Sequence, residues 1–290
     1  MSQRADDLSE QILSQSYLDR FSGVGRIYGV KSMYALSQAR ICVIGIGGVG
    51  TWCAEALARS GIGSITLVDL DEICVTNMNR QLHTLTDTIG QSKVETMKTR
   101  LQKINPELIV HAKHVFYTKN TEDELLGKAS QSSAKFDLVI DAIDHTERKA
   151  QLIEACLIRG LAVVTCGAAG GRRSPQMITC ADLSQSSHDG LLRRVKQLLR
   201  KTDYIQALCN PTGAVQPKQV SSWDVPAVFS KERPYFPTKD GDVCHQSSHV
   251  EALRLDCNLG FGSLSFVTAT FGFIAVSVGL NIILNENPYG

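Results

Sequence analysis

Paired cysteines of the zinc-ribbon kind are missing from this chain. Its nine cysteines, at positions 42, 53, 74, 156, 166, 180, 209, 244 and 257, include no two separated by two residues, so no structural zinc held by CxxC pairs is expected. Nine thiols spread over 290 residues are also too dilute for a disulfide-stapled scaffold. An excess of charge is lacking too. Lys+Arg 30 against Asp+Glu 29 leaves a net charge of +1, which excludes a global positive field that would gather polyanions. A nucleic-acid partner would therefore be held by local patches. The opening MSQRADDLSEQILSQ is polar and mixed in charge, unlike a secretory signal, and the expected location is the cytoplasm. Internal repeats are absent. What is present, 43% hydrophobic and 20% charged residues, is the composition of a globular protein and excludes disorder, collagen and a multi-span membrane protein.

The stretch RICVIGIGGVG, 40–50, is an apolar β-branched run ending in clustered glycines, and it predicts a buried strand breaking into a tight turn. A helical pattern through about 49–60 and a second strand, SITLVDLD, complete a βαβ unit. Helices at SKVETMKTRLQKIN and ERKAQLIEACLIRG alternate with strands at LIVHAKHV, FDLVIDAID and LAVVTCG. The expected fold is α/β, a doubly wound, mostly parallel Rossmann-like sheet covered on both faces. The whole of 1–290 reads as one domain, with a nucleotide-binding core at about 20–171 and a substrate- and dimer-facing part at about 172–290. Within the latter, RRSPQMITCADL suggests a strand pair, GLLRRVKQLLRK a basic amphipathic helix, and 202–225 a mobile loop.

Residues 264–284 carry no charge over 21 positions, enough to span a bilayer. Ser265, Thr268, Thr270, Ser277, Asn281 and two glycines dilute the run and favour a long apolar helix in a core or subunit interface over a membrane span.

Gly45, Gly47, Gly48 and Gly50 form GxGGxG between strand and helix. Glycines let backbone approach closely, and the free N–H groups and positive end of the helix suit phosphate. Asp69, 24 positions after Gly45, stands near the spacing that binds a ribose hydroxyl. The loop alone leaves NAD and ATP both open.

The residues that follow are Asp69, Asp71, Asn77, Arg80 and Gln81 in DLDEICVTNMNRQ, Lys93 in GQSKV, and Asp141 and Asp144 in DAIDHTERK. From about 20 to 277 this series resembles the adenylating domain of ubiquitin-activating enzymes and of bacterial activators of sulfur-carrier proteins, the ThiF/MoeB/HesA type. The resemblance implies binding of MgATP and formation of an acyl adenylate on a carboxylate. Arg80 and Lys93 would then balance phosphoryl charge, Asn77 and Gln81 would orient oxygens, and Asp144 would hold Mg²⁺. The opening R20-FSGVG-R26-IYG, the ALARSGIG, GAAGG and DGDVC stretches, and DCNLGFG leading into VTATFGF look like the tRNA threonylcarbamoyladenosine dehydratase branch. That branch uses ATP to close a threonylcarbamoyl-adenosine next to the anticodon into a cyclic form. The resemblance further implies a homodimer in which Arg20 or Arg26 reaches the partner's ATP, and tRNA as substrate, with a cysteine-desulfurase or sulfur-acceptor system as an additional partner. An activator of a ubiquitin-like or sulfur-carrier protein's C-terminus is the alternative.

Cys244 in DGDVC follows a turn signal; as a thiolate it could trap an acyl adenylate or accept sulfur, and otherwise it packs as a small hydrophobe. Arg172, Arg173, Arg193, Arg194, Lys196, Arg200, Lys201, Lys231 and Arg233 are candidate tRNA phosphate contacts or simply solvated charges. Tyr235 and Phe236 are suited to stacking on splayed bases or to a core.

Overall fold

The structure, a computed structural model, describes residues 13–130, 134–209, 222–238, 240–245 and 261–289. Two helices open it, α1 (Gln15–Tyr28) and α2 (Val30–Gln38), neither of them expected from the hydrophobic pattern. Ser14 caps α1 by accepting the Tyr17 N–H at 2.9 Å. Then come β1 (Arg40–Ile44), α3 (Gly50–Arg59), β2 (Ser64–Val68), α4 (Lys93–Ile104), β3 (Ile109–Lys113) and α5 (Glu122–Leu126). The chain continues through β4 (Leu138–Asp141), α6 (Thr146–Ile158), β5 (Val163–Cys166), β6 (Ile178–Asp182), α7 (Gly190–Leu199) and α8 (Asp203–Cys209). Last are β7 (Pro226–Ser230), the two-residue strands β8 (Phe236–Pro237) and β9 (Val243–Cys244), and α9 (Ser265–Ile283).

Seven strands form one sheet in the order β3-β2-β1-β4-β5-β7-β6, parallel except for β6. The doubly wound sheet is the expected one. Because successive side chains on a strand point to opposite faces, Ile41 and Val43 of β1 enter a core with α2, α3, α4 and α9. Cys42 and Ile44 enter a second core with α5, α6, α7 and α8. Both faces being covered explains why β1 reads as an unbroken apolar run.

Two expectations change, and that of a long apolar C-terminal helix packed in the core holds. The segment 172–183 supplies one strand rather than a pair: β6 runs antiparallel to β7, and β7 inserts between β5 and β6. The region 202–225 is not one loop, since α8 occupies 203–209 and Ile205 is buried; 210–221 lies outside the described residues. The apolar run 264–284 is long enough to cross a bilayer but is a packed element of the α/β fold. Phe271, Ala275 and Val276 of α9 are buried in the core, Trp52 of α3 meets Phe273 edge-on at 6.0 Å, and a side chain at Gly272 would press on the Val49 carbonyl at 3.0 Å.

Candidate active site

The chain leaves β1 for β2 and β3 on one side and returns to β4 and β5 on the other, so the crevice at the carboxyl ends of β1 and β4 is a topological switch point, where open α/β sheets bind ligands. A cleft of about 1830 Å³ opens there, larger than the 300–1,000 Å³ typical of a single small-molecule pocket. Its floor is the glycine loop. Gly45 has φ 92°, and a Cβ on it would stand 2.8 Å from the Ala142 carbonyl; a Cβ on Gly50 would collide with the Gly45 carbonyl. Those two glycines let β1 turn into α3. Gly47 and Gly48 line the cleft with no side chain between backbone and ligand.

Asp69, at the end of β2, is buried and its two carboxylate oxygens accept the N–H groups of Ile46 at 2.7 Å and Asp71 at 2.8 Å. It therefore shapes the glycine loop as well as facing the cleft. Burial pushes its pKa up, and the two N–H groups and Lys93 pull against that. Lys93 is buried at the first turn of α4, its Nζ 2.8 Å from the exposed Asp71 carboxylate. Arg80 lies along Gly48, whose added Cβ would meet its Cγ at 3.4 Å. Its Nη1 donates to the Thr76 carbonyl and to Asn79, and among the described residues it makes no ion pair. Gln81 is buried in the cleft wall, and its Oε1 has no donor among the described residues, an atom suited to a ligand hydroxyl. Asn77 accepts the Cys74 N–H at 3.1 Å, which holds the turn that carries Arg80.

The two aspartates after β4 divide their work. Asp144 is exposed on the cleft wall and makes no ion pair among the described residues. Asp141 is fully buried, paired with Lys149 Nζ at 2.8 Å and accepting the Thr165 hydroxyl at 2.7 Å; its charge balances Lys149 rather than Arg80 or Lys93, and neither aspartate caps α6, whose N-cap is His145. No group of three or more metal-binding side chains exists among the described residues. A single free carboxylate still suits Mg²⁺, which keeps several waters and takes other oxygens from phosphates.

The other end of the cleft is basic and aromatic. Arg193, Arg194 and Arg233 line it, with Phe236, His245 and Phe261. Arg173 stacks on Tyr235 at 3.9 Å, and Tyr235 packs on His245 at 4.1 Å. Arg172, expected as a surface phosphate contact, is instead only 3% exposed. Arg200 leans over Trp223. Cys244 is half-buried in β9, opposite Phe236 of β8, while Cys257 lies outside the described residues. Arg20 and Arg26 are exposed on α1 and do not line this cleft; Arg20 donates to the Ser16 carbonyl at 2.8 Å. It borders a separate groove of about 450 Å³ between α1, α3 and α9.

The model of the ThiF family matches residues 20–289. The chain belongs to the ThiF family. It is 42% identical over 270 residues to the tRNA threonylcarbamoyladenosine dehydratase of Escherichia coli (strain K12), covering 93% of this chain and 95% of that protein. It is 43% identical over 271 residues to the protein of the same name from Haemophilus influenzae, covering 93% and 95%. Among solved structures, the E. coli dehydratase in complex with ATP superposes with a TM-score of 0.77 at 37% identity, over 95% of this chain and 98% of that one. Its AMP complex gives 0.78 at the same identity and coverage.

Several residues of this ThiF-family site escape the sequence. Lys149 looks like one more charge of an exposed helix, and only the fold puts it beneath Asp141. His83 is buried with Nε2 3.1 Å from the Ile46 carbonyl, behind the glycine loop, and burial lowers its pKa to about 4. Cys74 is an exposed thiol in the cleft whose pKa is lowered by the Thr76 hydroxyl; no motif singles it out.

Proposed function

We propose that this protein is an ATP-dependent adenylating enzyme that converts the threonylcarbamoyl-adenosine next to the anticodon of tRNA into its cyclic form. One observation carries the reading. A cation, Arg80, and a carboxylate, Asp144, both without ion-pair partners among the described residues, face a glycine loop in a cleft large enough for a nucleotide and a nucleoside together. Near-full-length similarity to dehydratases, one of them solved with ATP and with AMP, supports the choice of reaction.

In the first step a threonyl carboxylate oxygen bonds to the α-phosphorus and the bond to the β-phosphate breaks, releasing pyrophosphate. Charge grows on the phosphoryl oxygens, where Lys93, Arg80 and the N–H groups of the glycine loop stabilise it. Mg²⁺ held by Asp144 would add charge neutralisation at the α-phosphate. Asp69 would orient the ribose, and Gln81 Oε1 would accept a ligand hydroxyl. In the second step a nitrogen of the same modification attacks the activated carbonyl, its proton leaves, and AMP departs; the nucleoside has lost one water. Both reactants are parts of one bound group, so the ring closes without a separate acceptor. Arg20 or Arg26 would reach the site from a second subunit of a homodimer. The part from 172 onward would face tRNA, with Arg173, Arg193 and Arg194 on its phosphates, in the cytoplasm. Cys244, half-buried across from Phe236, would be a structural thiol rather than a sulfur acceptor.

Purified protein is incubated with ATP, magnesium and threonylcarbamoyl-modified tRNA, and the nucleoside is weighed after mild digestion. AMP formation with loss of one water per nucleoside is the expected result. An unchanged nucleoside, with pyrophosphate exchange appearing only when a small carrier protein is added, would overturn the reading in favour of a protein activator.

A further inference from the structure

Arg172 follows the turn after β5, a strand that lies two places from β1 in the sheet and so about 10 Å from it. It lines the cleft yet is 3% exposed. Its Nη2 donates to the His188 carbonyl at 2.8 Å, while Nε and Nη1 have no acceptor among the described residues. The two carboxylates whose charge it feels, Asp189 and Glu232, are already engaged elsewhere. Asp189 accepts the N–H groups of Ala168 at 2.8 Å and Leu192 at 2.9 Å, and Glu232 accepts those of Arg173 at 2.9 Å and Ser174 at 3.0 Å. A buried cation with two unmatched nitrogens destabilises the ligand-free fold. Burial lowers its pKa, and the charges of Asp189 and Glu232 pull the other way without reversing it.

We propose that Arg172 is the recognition residue for the terminal carboxylate of the modified nucleoside, its guanidinium pairing with that carboxylate at the inner end of the cleft. This rests on the function inferred above and deepens it. A guanidinium presents planar donors that match a carboxylate. One carboxylate oxygen held by Arg172 leaves the other directed across the switch point toward the α-phosphate. Burial decides between the two oxyanions the substrate offers. A backbone phosphate carries ribose on both sides and stays at the rim, where Arg193, Arg194 and Arg233 lie; only a small terminal group reaches a side chain this enclosed. Arg172 thereby sets specificity for a nucleoside whose modification ends in a negative charge.

The test compares wild type with Arg172→Met, Arg172→Gln and Arg172→Lys, using three tRNAs: one with the threonylcarbamoyl modification, one with its carboxylate methyl-esterified, and one with unmodified adenosine. For wild type the modified tRNA is expected to bind about tenfold or more tighter than the ester. Met and Gln should abolish that difference, raise KM for modified tRNA by a similar factor and leave KM for ATP within about twofold; Lys should recover part of the loss. Affinity for unmodified tRNA should not move, and the ligand-free melting temperature of Arg172→Met should stay level or rise, since a buried cation with two nitrogens lacking acceptors has gone. Equal loss of affinity for all three tRNAs would assign Arg172 to a phosphate and overturn the proposal. So would a fall in melting temperature with carboxylate selectivity intact; the Lys and Gln proteins decide the matter if the Met protein does not fold. Wild-type protein that turns over no modified tRNA defeats the functional reading itself, whereas normal turnover with unchanged selectivity in the variants defeats this proposal alone.

Discussion

His83 links pH to the phosphate-binding loop. Buried and neutral, it meets the Ile46 carbonyl through Nε2, and its pKa of about 4 lies below the ordinary value of 6.5. A depressed histidine contributes stability that is present above about pH 6.5 and is lost as pH falls toward 4, because the unfolded chain takes up a proton first. The melting temperature should therefore fall across that window, by an amount on the order of 2–3 kcal/mol in stability. KM for ATP should rise in parallel as the loop loosens. His83→Gln, which keeps a donor for the Ile46 carbonyl, should flatten the histidine part of that slope; an unchanged slope would show that other groups set it. Lys149 makes the opposite kind of prediction. Replacing it with Met leaves Asp141 charged in a site with no exposure, at a cost of about 3–5 kcal/mol, read as a lowered denaturation midpoint. Removing both charges together, in Asp141→Val with Lys149→Met, should recover much of the loss, and no recovery would mean the pair itself stabilises the fold. Arg80, Lys93 and Asp144 were legible in the sequence because their family spacing singles them out. Lys149, His83 and Cys74 were not, because their roles depend on what is packed against them.

Among the elements, α9 does most to show why local pattern is insufficient. Its apolar residues run all the way round, as in a membrane helix or a helix buried on most sides, and only packing separates the two. The packing sits at its glycines. At Gly272 an added methyl would meet the Trp52 Cβ at 2.9 Å, the Val49 carbonyl at 3.0 Å and the Cys53 N–H nitrogen at 3.1 Å, which are rigid parts of α3. At Gly279 the obstacle is the movable end of Leu138. Gly272→Ala should thus cost about 1–3 kcal/mol by overpacking and Gly279→Ala less, measured by chemical denaturation. Since α3 begins at the glycine loop, only the Gly272 change should also raise KM for ATP. Equal effects at the two positions would contradict this packing. β7 was missed for a related reason. PAVFS is short, begins with proline, and follows a polar stretch, so nothing in it marks a strand until β5 and β6 are in place to receive it.

At the scale of the whole molecule, the near balance of 30 basic and 29 acidic residues hides a strongly uneven distribution. The nucleotide end of the cleft mixes both signs, whereas Arg172, Arg193, Arg194 and Arg233 crowd the end beyond β5. Arg20 and Arg26 lie on α1, away from this cleft, so the arginine finger proposed above would come from a second copy. Mixing Arg20→Ala protein, or Arg26→Ala protein, with Lys93→Ala protein should then restore about a quarter of wild-type activity, since half of randomly exchanged dimers carry one intact site. No recovery with either arginine variant would remove the finger. The five parallel strands β1 to β5, the glycine loop, and the placing of the adenylating motif residues around the cleft followed from the sequence alone, because hydrophobic period, turn chemistry and motif spacing are properties of neighbours along the chain. The place of β7, the packing of α9, the Asp141–Lys149 pair and the buried, half-partnered guanidinium of Arg172 were decided only by tertiary structure. Burial and the supply of hydrogen-bond partners depend on residues far apart in the chain, and they exist only once the sheet has closed over them.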